Sequence, residues 1–322
     1  MRIASVLTPF SDYNLQLAAQ CGVTDVVVRY PGRELTDLIA VREHAGRFGL
    51  RVSVIEGYLP IENIKLGNDC RDAEIEEMKR LIRHMAAAGI PICCYNWMAG
   101  TDWVRTRLDV PERGGALVTA FDLAEAERAA VSLTDEATPV AVQPIRAAEL
   151  WRNLEYFLRE LLPVAEAAGV TLCMHPDDPP LDQFLGRARI MNCVESFERL
   201  VALVPSRSNA ICFCQGTFAE MGVDIPSSIR RLGKHIQYVH FRDIRGTRER
   251  FVETFHDNGQ TNMVAAMRAY RDIGFTGPMR PDHVPQLVGE EDGPPGYTML
   301  GRLFAFGYMR GLMQAVKRNT NG

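Results

Sequence analysis

Short apolar runs alternate with longer stretches of helical period about eight times along the chain. Arg2–Leu7 reads as a strand, and Tyr13–Cys21 as a short helix closed by Gly22. Thr24–Arg29 is a second strand. Glu34–Phe48 then sets Leu35, Leu38, Ile39 and Val41 on one side and ends at Gly49, a favoured residue just past a helix. Arg51–Ile55 is a third strand with Glu56 at its end, and Asp72–Ala88 spaces Ile75, Met78, Leu81, Ile82 and Met85 as a helix does. Ile90–Cys94 is the fourth strand and delivers Tyr95 and Asn96. Helical segments around Leu123–Val131 and Arg146–Ala168 follow. The strands Thr171–Met174, Asn209–Phe213, Ile236–Val239 and Gly277–Pro281 then alternate with helices near Val194–Leu203, Ser227–Leu232, Asn262–Ile273 and Met299–Val316.

Strand–helix alternation repeated in this way predicts an α/β fold, a (β/α)8 TIM barrel of parallel strands inside a ring of helices. The expected organisation is a single barrel domain over residues 1–322. It has a long aperiodic loop at about 97–120, a polar loop at Asp243–Gln260, and a C-terminal lid and helix at about 284–316. A doubly wound open sheet is the alternative, but no G-x-G-x-x-G follows the first strand and no phosphate loop occurs.

In such barrels the chemistry sits at the carboxyl ends of the strands, and four strands here end in metal-binding side chains. Thr171–Met174 stops at His175, followed by Asp177 and Asp178 among three prolines; Asn209–Phe213 leads into Cys214, Ile236–Val239 into His240, and Gly277–Pro281 into Asp282 and His283. A lone histidine or cysteine at a strand end is more often structural. Two imidazoles, a thiolate and a carboxylate at four strand ends together suit a first-row divalent ion such as Mn, Fe, Co or Zn. Cys212 shares a strand face with Cys214, and Cys214 is preferred as the one nearer the end. Asp177 and Asp178 are candidate orienters of His175.

Around this set lie acid–base and binding candidates. His283 and Tyr297 are expected to transfer protons, Tyr297 from a loop shaped by glycine and proline. Glu253 and His256 follow His240 closely enough to reach the site. Glu56, Tyr95 and Asn96 stand at strand ends, and Arg242, Arg280 and Arg302 are candidate clamps for a carboxylate.

Composition narrows the partners. In 322 residues, 36 basic and 40 acidic side chains leave a net charge of −4, which argues against nucleic acid or a membrane surface. No apolar run has the length of a membrane span, and the N-terminus lacks the features of a signal peptide. Cys93, Cys94, Cys173 and Cys212 lie inside apolar runs and no C-x-x-C pair occurs, so reduced thiols and a cytoplasmic location are expected.

Several separate motifs then resemble the mannonate dehydratases, the lyases of hexuronate breakdown. They are Ile64-Lys-Leu-Gly67 with Arg71-Asp72, Cys94-Tyr-Asn-Trp-Met98 with Asp102-Trp103 and Arg105-Thr106, and His175-Pro-Asp-Asp-Pro-Pro180. Phe213-Cys214, Val239-His-Phe-Arg242, Arg280-Pro-Asp-His283, Gly296-Tyr297, Gly301-Arg302-Leu303 and Tyr308-Met-Arg-Gly-Leu312 continue the series in the same order. The likeness runs from about residue 50 to the C-terminus. It implies a xylose-isomerase-like barrel, Mn2+ (or Fe2+) on His175, Cys214, His240 and Asp282, and dehydration of D-mannonate to 2-dehydro-3-deoxy-D-gluconate. The C2 proton beside a carboxylate is weakly acidic and the 3-hydroxyl must leave protonated; Tyr297 and His283 serve these two steps, in either order. An arginine, Arg242 or Arg280, would hold the carboxylate of a small sugar acid, with Tyr95, Asn96, Glu56 and His256 nearby. A homo-oligomer, a dimer, is expected from the Phe304–Leu312 run.

The chain also departs from that family. Its first 50 or so residues lack a Trp- and His-rich opening, Gln215-Gly-Thr217 follows the cysteine, amides occupy Gly259–Met263, and Val284 replaces a glycine. These positions touch the substrate shell and spare the metal set. A different sugar acid is thus one alternative. A sugar isomerase or epimerase on the same barrel is another; it would use Glu56 in a pair of acid–base residues and need no carboxylate clamp. A non-catalytic sugar-binding barrel would have no need of the metal ligands.

Overall fold

Runs of four to six apolar residues are too short for a stable helix and instead pair edge to edge. In the computed structural model, which describes residues 1–129, 131–132 and 144–318, they form β1 (Arg2–Val6), β2 (Asp25–Val28), β3 (Arg51–Glu56) and β4 (Ile92–Tyr95). β5 (Thr171–Met174), β6 (Asn209–Cys214), β7 (Ile236–Phe241) and β8 (Pro278–Pro281) complete the set. Every neighbouring pair is parallel, and β1 pairs with both β2 and β8, so the sheet closes into a barrel. The outer helices are α1 (Asp12–Gln20), α2 (Leu35–Gly46), α3 (Arg71–Ala88), α4 (Ala147–Ala168), α5 (Val194–Leu203), α6 (Ile225–Leu232), α7 (Met263–Asp272) and α8 (Met299–Arg318).

Strand alternation divides the core in two. Ala4, Val6, Val27, Val54, Cys94, Cys173, Ala210, Cys212 and Tyr238 fill the barrel interior as one cluster. Their neighbours Ile3, Val26, Ile55, Cys93, Leu172, Ile211, Phe213 and Val239 face outward and pack under the helices. The Phe304–Leu312 run expected at an oligomer contact turns largely inward: Phe306, Met309 and Leu312 are buried within the chain. No helix among the described residues is long and apolar enough to cross a membrane.

Two regions expected to be irregular are ordered strands. Arg107–Pro111, Leu117–Asp122, Arg250–Glu253 and Ile244–Thr247 form a four-stranded antiparallel sheet beyond the carboxyl ends of the barrel strands. Their period of two lasts only four to six residues, with Phe251 stacked on Phe121, which is too brief to stand out in sequence. Leu117 and Gln286 exchange backbone hydrogen bonds of 3.0 and 2.8 Å, and Val284 N donates to Gly296 O at 2.9 Å. The segment carrying Tyr297 is thereby pinned to this roof. The helix expected over Leu123–Val131 spans Leu123–Ala129; Ala130 lies outside the described residues, and Val131–Ser132 pairs instead with Val104–Arg105.

Candidate active site

The strand ends converge because parallel strands in register place successive carboxyl ends side by side. Cys214 lies opposite His240, and His240 opposite Arg280. His175 continues β5 and donates its backbone N–H to Tyr95 O at 2.8 Å. His175 Nε2 and His240 Nδ1 are 3.1 Å apart. Asp282 Oδ2 lies 3.7 Å from Cys214 Sγ and 3.7 Å from His240 Nδ1.

The other nitrogen of each imidazole is already engaged. His175 Nδ1 donates to Pro176 O at 2.7 Å, and His240 Nε2 to Glu56 Oε2 at 3.1 Å. These partners hold the rings so that Nε2 of His175 and Nδ1 of His240 face each other, with Arg280 Nη2 3.4 Å from the latter. First-row ions bind N, O and S donors at about 2.0–2.3 Å, which matches donor atoms separated by 3.1 to 3.7 Å. Cys214 Sγ also accepts from Thr217 Oγ1 at 3.2 Å, and Arg242 Nε donates to Asp282 Oδ2 at 2.8 Å. Burial works against charge on Asp282, but Arg280, His283 and His240 outweigh it and hold the carboxyl well below its usual range. The ligand atoms of His175, Cys214 and His240 lie within 4.8 Å of one another and suit a divalent ion, with Asp282 beside Cys214 and His240.

His283 stands beside them on a second carboxylate. Its Nδ1 donates to Glu253 Oε1 at 2.5 Å, and its Nε2 lies 3.8 Å from Asp282 Oδ1. Glu253 comes from the roof hairpin and is held ionised, because His283, Arg105 and Arg242 outweigh the cost of its burial. The His283 ring packs on Trp103 at 4.2 Å between centroids and on Tyr297 at 5.3 Å. Burial pushes the Tyr297 phenol up to about 12, so it carries its proton. Trp103, Tyr297, His283, His175, His240, Asp282, Arg280, Glu56 and Arg29 are among the residues lining a cavity of about 50 Å3.

Several expected contacts fall elsewhere. Arg242 does not line the cavity; it sits among Asp178, Glu220, Glu253 and Asp282, with shortest contacts of 2.7 to 3.3 Å. Arg280 lines the cavity, but its guanidinium bridges Glu56 at 2.7 Å and Asp282 at 2.6 Å. Arg302 is buried behind Tyr297 and donates to that residue's carbonyl. Asp178 does not orient His175. It receives Arg105 and Arg242 at 2.7 Å each, while Asp177 accepts from Met191 N. Tyr95 borders the cavity, but its ring turns outward against Phe157 of α4, because side chains alternate and Cys94 takes the inward place. His256 is wholly buried against Phe241 away from the cavity, and burial pushes it down to about 4, so it is neutral. Asn96 does line the cavity, with its Oδ1 accepting from Lys65 Nζ at 3.1 Å. Glu56 is clasped by Arg280, Arg29, Tyr238 and His240, which hold it ionised despite burial. Sequence reasoning passed over Arg29, which has the signal of the other site residues: it directly follows the apolar strand β2.

Comparison with known proteins follows the same lines. A family model described as D-mannonate dehydratase (UxuA) matches residues 11–321, so the likeness takes in the first 50 residues as well. Mannonate dehydratase 2 of Halalkalibacterium halodurans is 37% identical over 300 residues, covering 87% of this chain and 86% of that protein. The mannonate dehydratase of Oceanobacillus iheyensis is 36% identical over 299 residues, with 87% and 85% covered. The crystal structure of mannonate dehydratase from Streptococcus suis serotype 2 superposes with a TM-score of 0.91 at 31% identity, over 100% of this chain and 96% of that one. An L-ribulose 3-epimerase structure gives a TM-score of 0.64 at 14% identity over 99% and 96%, a likeness of fold alone.

Proposed function

The chain belongs to the D-mannonate dehydratase family, and from that premise we propose that it removes water from D-mannonate to give 2-dehydro-3-deoxy-D-gluconate. The observation that carries this reading is the pair of imidazole nitrogens at 3.1 Å, beside a thiol and a carboxylate, within reach of a carboxylate-anchored histidine. His175, Cys214, His240 and Asp282 would hold a divalent ion of the first row, which the family resemblance narrows to Mn2+ or Fe2+. Bound there, the ion supplies Lewis acidity toward substrate oxygen and offsets the negative charge that develops as the C2 proton leaves.

The two proton transfers divide according to what each side chain holds at rest. His283 has Nδ1 committed to Glu253, so Nε2 is the nitrogen left to exchange the C2 proton. Tyr297 keeps its proton to about pH 12 and gives it to the departing 3-hydroxyl. The enol that remains relaxes to the 2-oxo acid. Trp103 packs against both catalytic rings and keeps water from them. The sugar epimerase alternative asks Glu56 to move a proton, yet four donors already occupy its two oxygens. A cytoplasmic setting accords with eight free thiols.

The test is incubation of Mn2+-loaded protein with a panel of aldonates and aldoses, assayed for 2-keto-3-deoxy products. Product from D-mannonate is expected. Turnover of aldoses with none of any aldonate would overturn the reading in favour of isomerisation.

A further inference from the structure

A sugar acid brings a negative charge into the cavity, and the arginines predicted to receive it are already committed. Arg242 is shared among four carboxylates outside the cavity wall, and Arg302 lies behind Tyr297. Among the described residues lining the cavity, Arg29 and Arg280 alone carry a fixed positive charge. Arg280 is 2% exposed and divided between Glu56 and Asp282.

Arg29 differs on each count. Its side chain is 30% exposed, and one nitrogen, Nη1, meets Glu56 Oε1 at 3.2 Å. The guanidinium carbon lies 5.5 Å from the ring centres of both Tyr58 and Tyr297, so two aromatic faces hold the planar group without using its N–H donors. Space for it is made by Gly57. A Cβ there would approach Arg29 Nη1 to 3.1 Å, and the residue's φ of +79° suits glycine. A planar fork, held by its faces and open at its edge, is suited to a carboxylate.

We infer that Arg29 binds the C1 carboxylate of the sugar acid and so selects acids over the corresponding neutral polyols. This rests on the dehydratase reading of the same site. The ring of Tyr297, against which Arg29 packs, also meets His283. A carboxylate on Arg29 therefore brings C2 and C3 to the two proton-transferring groups. A charged hydrogen-bonded pair is worth about 1.5–3 kcal/mol, or roughly ten- to a hundredfold in affinity.

Two measurements test the assignment. In calorimetry on Mn2+-loaded protein, Arg29→Gln should lower the preference for D-mannonate over D-mannitol by at least about tenfold, with Arg29→Lys intermediate. In the unaltered protein, modification by phenylglyoxal, mapped by peptide mass spectrometry, should be blocked at Arg29 by D-mannonate and not by D-mannitol. The second measurement holds even if the variants do not fold. D-Mannonate that binds without shielding Arg29, or an Arg29→Gln protein that keeps the full preference, overturns the inference. Shielding by an aldonate that is bound but never dehydrated would support Arg29 while removing the proposed reaction.

Discussion

Charge is buried at both ends of the barrel, but in opposite ways. At the amino ends of the strands, Asp25 on β2 is wholly buried between Arg2 of β1 and Arg51 of β3, whose side chains remain 35% and 55% exposed. Burial opposes its ionisation, but Arg51, Ser53 and Thr24 outweigh that and lower its pKa. At the carboxyl ends, Arg105, Arg242 and Arg280 are at most 2% exposed and meet Glu56, Asp178, Glu220, Glu253 and Asp282 at 2.5 to 3.3 Å. A pair with one solvated partner is cheap and contributes little; a fully desolvated network is a poor way to gain stability. The lower pair ties three strand ends together. The upper network serves the site, keeping Glu56, Asp178, Glu253 and Asp282 ionised while burial and Asp178 push Glu220 up, and holding their oxygens in place.

That contrast can be broken by experiment, beginning with the largest effect. Changing His175 or Asp282 to alanine, or removing metal with a chelator, should cut formation of the 2-oxo acid by at least about a thousandfold. In the chelated protein, added Mn2+ should restore it. Arg242→Met should cost about 3–5 kcal/mol in denaturant unfolding, because it strands buried carboxylates. Arg51→Met at the other end should cost no more than about 1 kcal/mol. Equal losses would mean that the two networks are of one kind.

Glu253→Gln should lower kcat about a hundredfold with little change in KM, since His283 loses its anchor and not its place. A change confined to KM would make Glu253 a packing residue. The smallest effect lies on the acid side. Asp25 and Glu253 are both depressed below their unfolded values of about 4. Each contributes stability above that value and loses it as pH falls through the folded one. Unfolding free energy should be level from pH 7 to about 5 and decline below about 4, less steeply in Asp25→Asn.

The eight strands and the convergence of their ends were legible because burial leaves a linear trace: an apolar run, then a polar residue where it stops. His175, Cys214, His240 and Asp282 all follow that rule, and so does Arg29. Arg29 was overlooked because arginine after a strand is ordinarily a solvated surface residue. Arg242 was misread for a different reason. Its partners come from the segments after β5, β6 and β8 and from the roof hairpin, and no linear pattern announces that four segments meet on one guanidinium. The roof itself escaped notice because its strands are too short to establish a period. Tyr95 shows the limit of the strand-end rule, which finds the end of the barrel but not the side of the strand.

The roof hairpin of residues 244–253 divides the site between two supports. His175, Cys214, His240 and Asp282 ride on the barrel, whose fold this chain shares in outline with the L-ribulose 3-epimerase. The carboxylate that fixes His283 rides on the hairpin between β7 and α7. Changes confined to that hairpin can therefore reach the acid–base group without touching the strands that carry the four candidate donors.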